Sequence, residues 1–147
     1  MRQVAKPSMR TEQVADQLHA AAIRLLRYVR KEDSASGITA AQLSALSVLA
    51  FGGPMTLSAL AAAEQVKPPT MSQLVSDLER LDLVSRKPID RRSSEISLTR
   101  KGRALMEAGR KRRLARLTKA IGNLPPEQID KLAQAAGLMV AITDPSP

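Results

Sequence analysis

The chain has 147 residues, of which 44% are hydrophobic, so it is long enough and apolar enough for one folded domain and is not typical of a disordered chain. Lysine and arginine number 23 against 14 aspartates and glutamates, and the resulting charge of +9 favours a polyanionic partner, either nucleic acid or an anionic membrane surface. The absence of cysteine excludes disulfides and thiolate metal sites. Aromatic residues are nearly absent, which argues against base-stacking platforms for single strands or RNA loops and leaves duplex DNA as the favoured partner.

The N-terminal half predicts three helices in succession. Residues 11–31 have an apolar face at helical spacing, formed by Val14, Leu18, Ala21, Ala22, Leu25 and Val29. Thr39 is suited to cap a second helix, which Gly52-Gly53-Pro54 ends. Thr56 is suited to cap a third, short helix from Leu57 to about Ala63.

The next helix begins at two adjacent prolines, Pro68 and Pro69, which the first helical turn tolerates because the N–H that proline lacks has no intrahelical partner there. Its apolar face comprises Met71, Leu74, Val75, Leu78 and Leu81. Its other face comprises Thr70, Ser72, Gln73, Ser76, Asp77 and Arg80. Side chains of these types reach phosphates and base edges, although a solvated surface is the simpler interpretation. Only residues 64–67 separate this helix from the third, as in a helix-turn-helix.

After this helix the hydrophobic pattern changes to the two-residue period of strands. Residues 83–87 and 95–98 alternate polar and apolar side chains and flank a polar loop, residues 88–94, which carries Arg91 and Arg92. A hairpin with a cationic tip directly after a helix-turn-helix is the wing of a winged helix, and its arginines are suited to a narrow minor groove. Taken alone, the segment is equally consistent with an exposed hairpin whose charges aid solubility.

Two further helices are predicted at the C-terminal end. The first, residues 99–122, carries Leu105, Leu114, Leu117 and Ile121, and the second begins at Pro126 and carries Ile129, Leu132, Ala136, Met139 and Ile142. Together with residues 11–31, these helices carry more apolar surface than is needed to cover a small winged helix. The basic run of residues 110–113, with Arg116 and Lys119, is more typical of a solvated helix face than of a DNA contact.

The segment PPTMSQLVSDLERLDLVSRKPIDRRSSEISLTRKGR resembles the recognition helix, wing and following helix of the MarR (multiple antibiotic resistance regulator) transcription factors. Its most specific part is Asp90-x-Arg92 followed by Leu98-Thr99-x-Lys101-Gly102-Arg103, and the resemblance extends over roughly residues 11–142. It implies a mainly α fold in a single domain over residues 1–147. In that domain a winged helix-turn-helix lobe with a two-stranded β-wing, residues 39–98, is joined to a dimerisation region built from helices 11–31 and 99–142.

The resemblance also implies how DNA is contacted. Residues on or near the major groove would come from the Pro68 helix and its start, namely Lys67, Pro69, Thr70, Ser72, Gln73, Ser76 and Arg80. In the wing, Arg92 would enter the minor groove beside Arg91, and Asp90 would hold the wing in shape by pairing with a nearby guanidinium. The chain departs from the family pattern at Gln65, where glycine is frequent, at Lys67, where serine or threonine is frequent, and at Asp77, where relatives are often basic.

Dimerisation and ligand binding follow from the same resemblance. The expected interface residues lie on the terminal helices and are Leu18, Leu25, Leu117, Leu132 and Met139. A two-fold dimer presents two recognition helices, so its operator should be palindromic. Members of the family commonly bind small lipophilic or phenolic anions between the dimerisation helices and the DNA-binding lobe, and residues positioned to line such a cleft are Arg24, Tyr28 and Leu46.

The sequence therefore predicts a homodimeric, DNA-binding transcriptional regulator in the cytoplasm, most simply a repressor. A nonspecific architectural DNA-binding protein is the alternative, and a small-molecule-binding module is a weaker third. We expect neither an enzyme nor a cofactor, since no phosphate loop or nucleophile motif is present. Glu12, Asp16 and His19 share a helix face that could hold a metal ion, but a polar helix flank is the favoured interpretation, and no metal is predicted. No apolar run is long enough to cross a bilayer, so no membrane association is expected.

Overall fold

A computed structural model describes residues 8–31 and 33–143, so the terminal residues of the domain predicted over 1–147 lie outside the described residues. The described chain is mainly helical with one small antiparallel sheet, as predicted. Its elements in order are α1 (Met9–Arg30), a 3₁₀ turn (Asp33–Ser36), α2 (Ala40–Gly52), β1 (Met55–Thr56), α3 (Leu57–Ala63), α4 (Pro68–Arg80), β2 (Val84–Pro88), β3 (Ser94–Leu98), α5 (Arg100–Ile121) and α6 (Pro126–Thr143).

Threonine hydroxyls cap the starts of three helices, two of which, at Thr39 and Thr56, were predicted from the sequence. Thr39 caps α2 in a capping box with Gln42, Thr56 accepts from the N–H of Ala59 at the start of α3, and Thr99 caps α5. By contrast, α4 begins with prolines after Lys67, which makes no side-chain capping hydrogen bond. The helix is therefore started by backbone restriction rather than by a side-chain acceptor.

The sheet has three strands in the order β1-β3-β2, so the prediction of a single strand pair missed one strand. The two long strands pair from Val84 opposite Leu98 to Pro88 opposite Ser94. The missed strand, β1, pairs Met55 with Ile96 and Thr56 with Glu95. A two-residue strand carries no hydrophobic alternation, and its partner lies about 40 residues further along the chain, so no local signal marks it.

The buried core joins the helix-turn-helix to the sheet. Its members are Ala45, Leu46, Leu49, Leu60, Ala61, Met71, Val75, Leu78, Leu83, Val84, Ile96 and Leu98. The predicted apolar face of α4 is confirmed at Met71, Val75 and Leu78. Leu81, predicted on the same face, is 42% exposed because the helix has ended at Arg80.

The same kind of turn precedes and follows α4. After α3, the N–H of Val66 donates to the carbonyl of Ala61 at 3.0 Å and Gln65 has a φ of 55°. After α4, the N–H of Leu83 donates to the carbonyl of Leu78 at 2.9 Å and Asp82 has a φ of 58°. These are Schellman turns, in which the left-handed position is usually glycine. Here two residues with side chains occupy it.

The start of α5 is fastened to the turn that follows α4. The carbonyls of Leu81, Asp82 and Leu83 accept from the Lys101 ammonium at 2.8 Å, the Thr99 hydroxyl at 2.6 Å and the Thr99 N–H at 3.1 Å, respectively. Gly102 lies so close that a Cβ there would fall far inside van der Waals contact of the Leu83 carbonyl oxygen. The Thr99-x-Lys101-Gly102 part of the motif thus has a structural explanation: it caps and closely packs the end of α4.

The terminal helices leave most of their apolar surface exposed. Neither α1 nor α6 contains a buried residue. Large apolar side chains that are exposed on them include Met9, Val14, Leu25, Leu26, Leu132, Leu138, Val140 and Ile142. Of the predicted interface residues, Leu25 and Leu132 are exposed, while Leu18, Leu117 and Met139 are half-buried. Leu138 and Val140 were not among the predicted interface residues, because the prediction used one face of a helix that is apolar on most sides.

Two contacts tie α5 to the N-terminal part of the chain. The guanidinium of Arg113 donates to the carboxylate of Asp33 at 2.6 Å, and that of Arg116 lies 4.2 Å from the ring centroid of Tyr28. Arg113 and Arg116 belong to the basic stretch that was interpreted as a solvated face. Both are half-buried, so part of that stretch packs against α1 and the 3₁₀ turn.

We expect Gly102→Ala to lower the free energy of unfolding by about 1–3 kcal/mol, because the added methyl must displace the Leu83 backbone rather than a flexible side chain. Denaturant unfolding followed by circular dichroism measures this. Gly109→Ala in the same helix is the control: its Cβ meets only the ends of Arg113 and Arg112, which can move. Equal destabilisation by the two substitutions would contradict the packing assigned to Gly102.

Candidate nucleic-acid interface

The face of α4 turned away from the core is largely open to solvent. The predicted contact residues that are exposed are Lys67, Pro69, Thr70, Gln73 and Arg80. Ser72 and Ser76 are half-buried, and the Ser76 hydroxyl donates to the backbone carbonyl of Ser72 at 2.9 Å. The single hydroxyl proton of Ser76 is thus engaged within the helix, and its oxygen keeps only acceptor capacity for a ligand.

The N-terminal end of α4 combines a cation with unpaired backbone donors. Lys67 occupies the N-cap position, its side chain is exposed, and it makes no capping hydrogen bond. The first N–H groups of a helix lack intrahelical acceptors and carry partial positive charge. Pro68 and Pro69 remove two of these donors, so the ammonium of Lys67 supplies much of the attraction for a phosphate at this end.

A carboxylate lies in the middle of the exposed face of α4. Asp77 Oδ1 accepts a hydrogen bond from Gln73 Nε2 at 3.1 Å and forms an ion pair with the guanidinium of Arg80. The side chain of Arg80 is 73% exposed and that of Asp77 is 34% exposed. The acidic residue at a position expected to be basic is therefore engaged with two neighbours that were themselves predicted to contact DNA.

A second carboxylate ties the wing, residues 84–98, to α4. Arg86 on β2 approaches Glu79 on α4, with both Nε and a terminal nitrogen 3.3 Å from the same carboxylate oxygen. The two side chains are only 27% and 33% exposed, so solvent screens this pair less than a fully exposed one. The contact links β2, the first strand of the wing, to α4. This pair was not predicted, because Glu79 and Arg86 lie on different elements, α4 and β2.

The tip of the wing is shaped by Asp90, but not through the partner that was predicted. Its Oδ1 accepts from the backbone N–H of Arg92 at 2.7 Å and from that of Ser93 at 2.8 Å. The prediction of a guanidinium partner was wrong, because a short carboxylate reaches the N–H groups two and three residues ahead without crossing the hairpin. Arg91 and Arg92 are exposed, and neither forms an ion pair with any carboxylate in the described part of the chain.

The same hydrogen bonds keep Asp90 ionised. The N–H of Arg92, followed by hydrogen bonds from Ser93, lowers the pKa of the Asp90 carboxyl below its ordinary value. A depressed pKa means that these hydrogen bonds are fully present above the ordinary value and are lost only as the pH falls through the lower folded value. The turn at the wing tip is therefore held throughout the neutral range.

The three residues predicted to line a ligand cleft do not line the cleft that opens beside α1. Leu46 was expected at the cleft but has 0% exposure, because it packs in the core of the lobe. Tyr28 is covered on one face by Arg116, and Arg24 is exposed. A cleft of 700 Å³ does open between α1, α2 and α5. Its lining includes Leu26, Val29, Arg30, Leu43, Phe51 and Arg113.

Two other expectations concern a metal site and a membrane-spanning helix. Within the described ranges, no three histidine, cysteine or acidic side chains lie close enough together to hold a metal ion, so Glu12, Asp16 and His19 do not form such a group. Among the helices of residues 8–31 and 33–143, none combines the length and the apolar character that a membrane span requires.

Comparison with known proteins identifies the family. A sequence profile of the MarR family matches residues 36–93. An HTH-type transcriptional regulator of Mycobacterium bovis is 38% identical over 136 residues, covering 91% of this chain and 95% of the relative. The chain belongs to the MarR family. It is thus a DNA-binding transcriptional regulator with a winged helix-turn-helix, and not an enzyme.

Solved structures of other proteins share this fold. A transcriptional regulator from Pseudomonas aeruginosa is 29% identical and superimposes with a TM-score of 0.79, covering 94% of this chain and 99% of that chain. A mutant of MepR from Staphylococcus aureus, solved bound to an oligodeoxyribonucleotide, is 22% identical with a TM-score of 0.67, covering 89% and 98% of the two chains. At that identity the second likeness shows the fold alone.

We expect Asp90→Ala to weaken DNA binding roughly tenfold, although it removes a negative charge, because it deprives the wing of the acceptor that holds the N–H groups of Arg92 and Ser93. Asp90→Asn is the matched variant, since it removes the same charge but keeps an acceptor oxygen. It should bind as tightly as the parent or more tightly. Titration of a labelled duplex at fixed salt measures both, and equal affinity of the two variants would exclude a shaping role.

Proposed function

We propose that this MarR-family regulator is a sequence-specific repressor that binds a palindromic operator as a homodimer and blocks access to its promoter. The observation that carries this proposal is the exposed polar face of α4, where Thr70, Gln73 and Arg80 are open to solvent. Beside it lies the wing, in which Arg91 and Arg92 form no ion pair with any carboxylate of the described residues. Such a pairing of elements suits simultaneous contact with a major groove and an adjacent minor groove.

Each group of side chains has a proposed role. Gln73 reads a base edge, and Pro69, Thr70 and Ser72 pack along the groove, with Ser76 as an acceptor. Lys67 and Arg80 attract backbone phosphates and supply affinity that does not depend on sequence. In the wing, Arg92 enters the minor groove, Arg91 lies along its edge, and Asp90 sets their direction. The structure of the MepR mutant with an oligodeoxyribonucleotide supports DNA contact through this fold.

A homodimer is proposed because α1 and α6 are poorly buried within one subunit. Helices of 22 and 18 residues without a buried residue expose apolar side chains that water disfavours. Burial against a second copy, through Leu18, Leu25, Leu117, Leu132 and Met139 and the exposed Leu138 and Val140, removes that cost. Two recognition helices then reach half-sites about 34 Å apart.

Release by a small lipophilic or phenolic anion is the proposed form of control. The cleft between α1, α2 and α5 combines apolar side chains with Arg30 and with the ion pair of Arg113 and Asp33, and it has the volume of a small-molecule site. A ligand there would contact helices of both the terminal region and the DNA-binding lobe. We propose further that the protein acts in the cytoplasm, because its DNA target lies there.

The test of the proposed function is the ratio of affinities for selected and random DNA. A regulator should prefer the operator recovered by genomic footprinting over a random duplex by roughly 10³-fold or more, whereas an architectural protein should not. On operators with A·T-rich flanks, Arg92→Ala should lose more affinity than Arg91→Ala, by roughly tenfold, because a narrow minor groove attracts the inserted guanidinium. Equal losses from the two variants would leave the wing as a charged hairpin only.

Sedimentation equilibrium tests the assembly. We expect a dimer at micromolar concentration, and we expect Leu132→Glu to shift it towards monomer, because a charge at the interface would be buried without a partner. Leu81→Glu is the control, since Leu81 is similarly exposed but lies at the end of α4. A folded parent protein that sediments as a monomer would contradict the proposal.

A further inference from the structure

The stripe formed by Gln73, Asp77 and Arg80 contains the acidic side chain that a DNA-facing helix should avoid. These residues follow one another at intervals of four and three, so they lie along one line on the helix surface. The carboxylate of Asp77 repels DNA phosphates, and in a chain of net charge +9 it costs affinity for any duplex. Its presence therefore calls for a compensating contribution to recognition.

The hydrogen bond between Asp77 and Gln73 indicates that this contribution is the orientation of the Gln73 amide. A carboxamide has one acceptor oxygen and a nitrogen with two donor hydrogens, whereas an ionised carboxylate only accepts. The 3.1 Å distance from Gln73 Nε2 to Asp77 Oδ1 therefore determines which way the amide faces, because the opposite orientation would bring two oxygens together. One N–H is used by Asp77. The oxygen and the second N–H have no hydrogen-bond partner among the described residues.

The free oxygen and N–H form the donor and acceptor pair that matches adenine. In the major groove adenine presents the N6 amine as a donor and N7 as an acceptor, so a glutamine amide binds it through two hydrogen bonds. Guanine presents two acceptors at the same edge, and the amide oxygen would face one of them. A glutamine that is free to rotate pays for ordering on binding, and one that is already held does not.

Arg80 makes the arrangement tolerable next to DNA. Its guanidinium pairs with Asp77 while remaining 73% exposed, so the carboxylate is neutralised at its own position and the arginine can still face a phosphate. The three side chains thus act as a unit: the cation offsets the charge of the carboxylate, and the carboxylate orients the amide.

We propose that Asp77 is a specificity-determining positioning residue that holds Gln73 as a reader of adenine. The proposal rests on the proposed function, in which α4 enters the major groove. It predicts that the protein selects an A·T pair at one position of each half-site, with a discrimination of about 5- to 150-fold over the other pairs. Asp77 lowers affinity for DNA in general and raises selectivity at that position.

The experiment selects duplexes from a randomised pool with the full-length protein and then titrates a series that varies one position at a time. Asp77→Ala should bind random DNA more tightly, yet its discrimination at the adenine position should fall to within about threefold. Asp77→Asn keeps an acceptor for the Gln73 amide and should restore most of the preference. Asp82→Asn is the matched control for charge, because it removes a nearby carboxylate with no contact to Gln73 and should leave the preference unchanged.

Three outcomes are informative against the proposal. If Asp77→Ala tightens all binding and keeps the parental preference, the carboxylate is only an electrostatic penalty, and the proposal falls while the proposed function stands. If the parent selects cytosine and that choice is lost with Asp77→Ala but kept with Gln73→Ala, Asp77 reads the base itself and the proposal is overturned. If the parent recovers no preferred sequence, the proposed function fails and the inference fails with it.

Discussion

The close packing of the start of α5 against the turn that ends α4 is the constraint on which the arrangement of the molecule depends. The backbone of Gly102 reaches the Leu83 carbonyl, and Thr99 and Lys101 satisfy the carbonyls beside it. This junction joins three parts of the molecule: α4, the strand β3 that ends at Leu98, and the long helix α5. A displacement of α5 must therefore move the turn after α4, since there is no free space between them to absorb it.

Acidic side chains have a consistent role around the proposed DNA-binding surface of this basic protein. Asp90 holds the backbone at the wing tip, Glu79 holds Arg86 on β2, and Asp77 contacts Gln73 and Arg80 on α4. Each carboxylate costs attraction for phosphate and gains a defined geometry. Long basic side chains are flexible, so a surface of cations alone would bind DNA with little orientation.

The sequence predicted the elements that local chemistry determines and missed those that depend on distant partners. Threonine caps, the proline start of α4 and the period of its buried face were all readable, because each depends on residues within a few positions. Strand β1 was missed because its pairing is formed far along the chain. Leu46 was assigned to a cleft by analogy with the family, and that analogy does not determine which side chains the core of this chain covers. The partners of Asp77 and Asp90 are local, but each carboxylate has several possible partners within a few residues, and the sequence alone does not select among them.

Gln65 and Asp82, which have left-handed backbone conformations before and after α4, restrict the orientation of that helix. Outside glycine, a backbone with positive φ costs about 1–2 kcal/mol, and it is confined to a small allowed region. Glycine at Gln65 or Asp82 would remove most of that strain but widen the range of angles open to the turn. The positive φ angles of Gln65 and Asp82 thus lower the stability of the fold and make the turns on either side of α4 stiffer. A stiff helix loses less conformational entropy when it enters a groove, so part of the cost of ordering is met during folding rather than on binding.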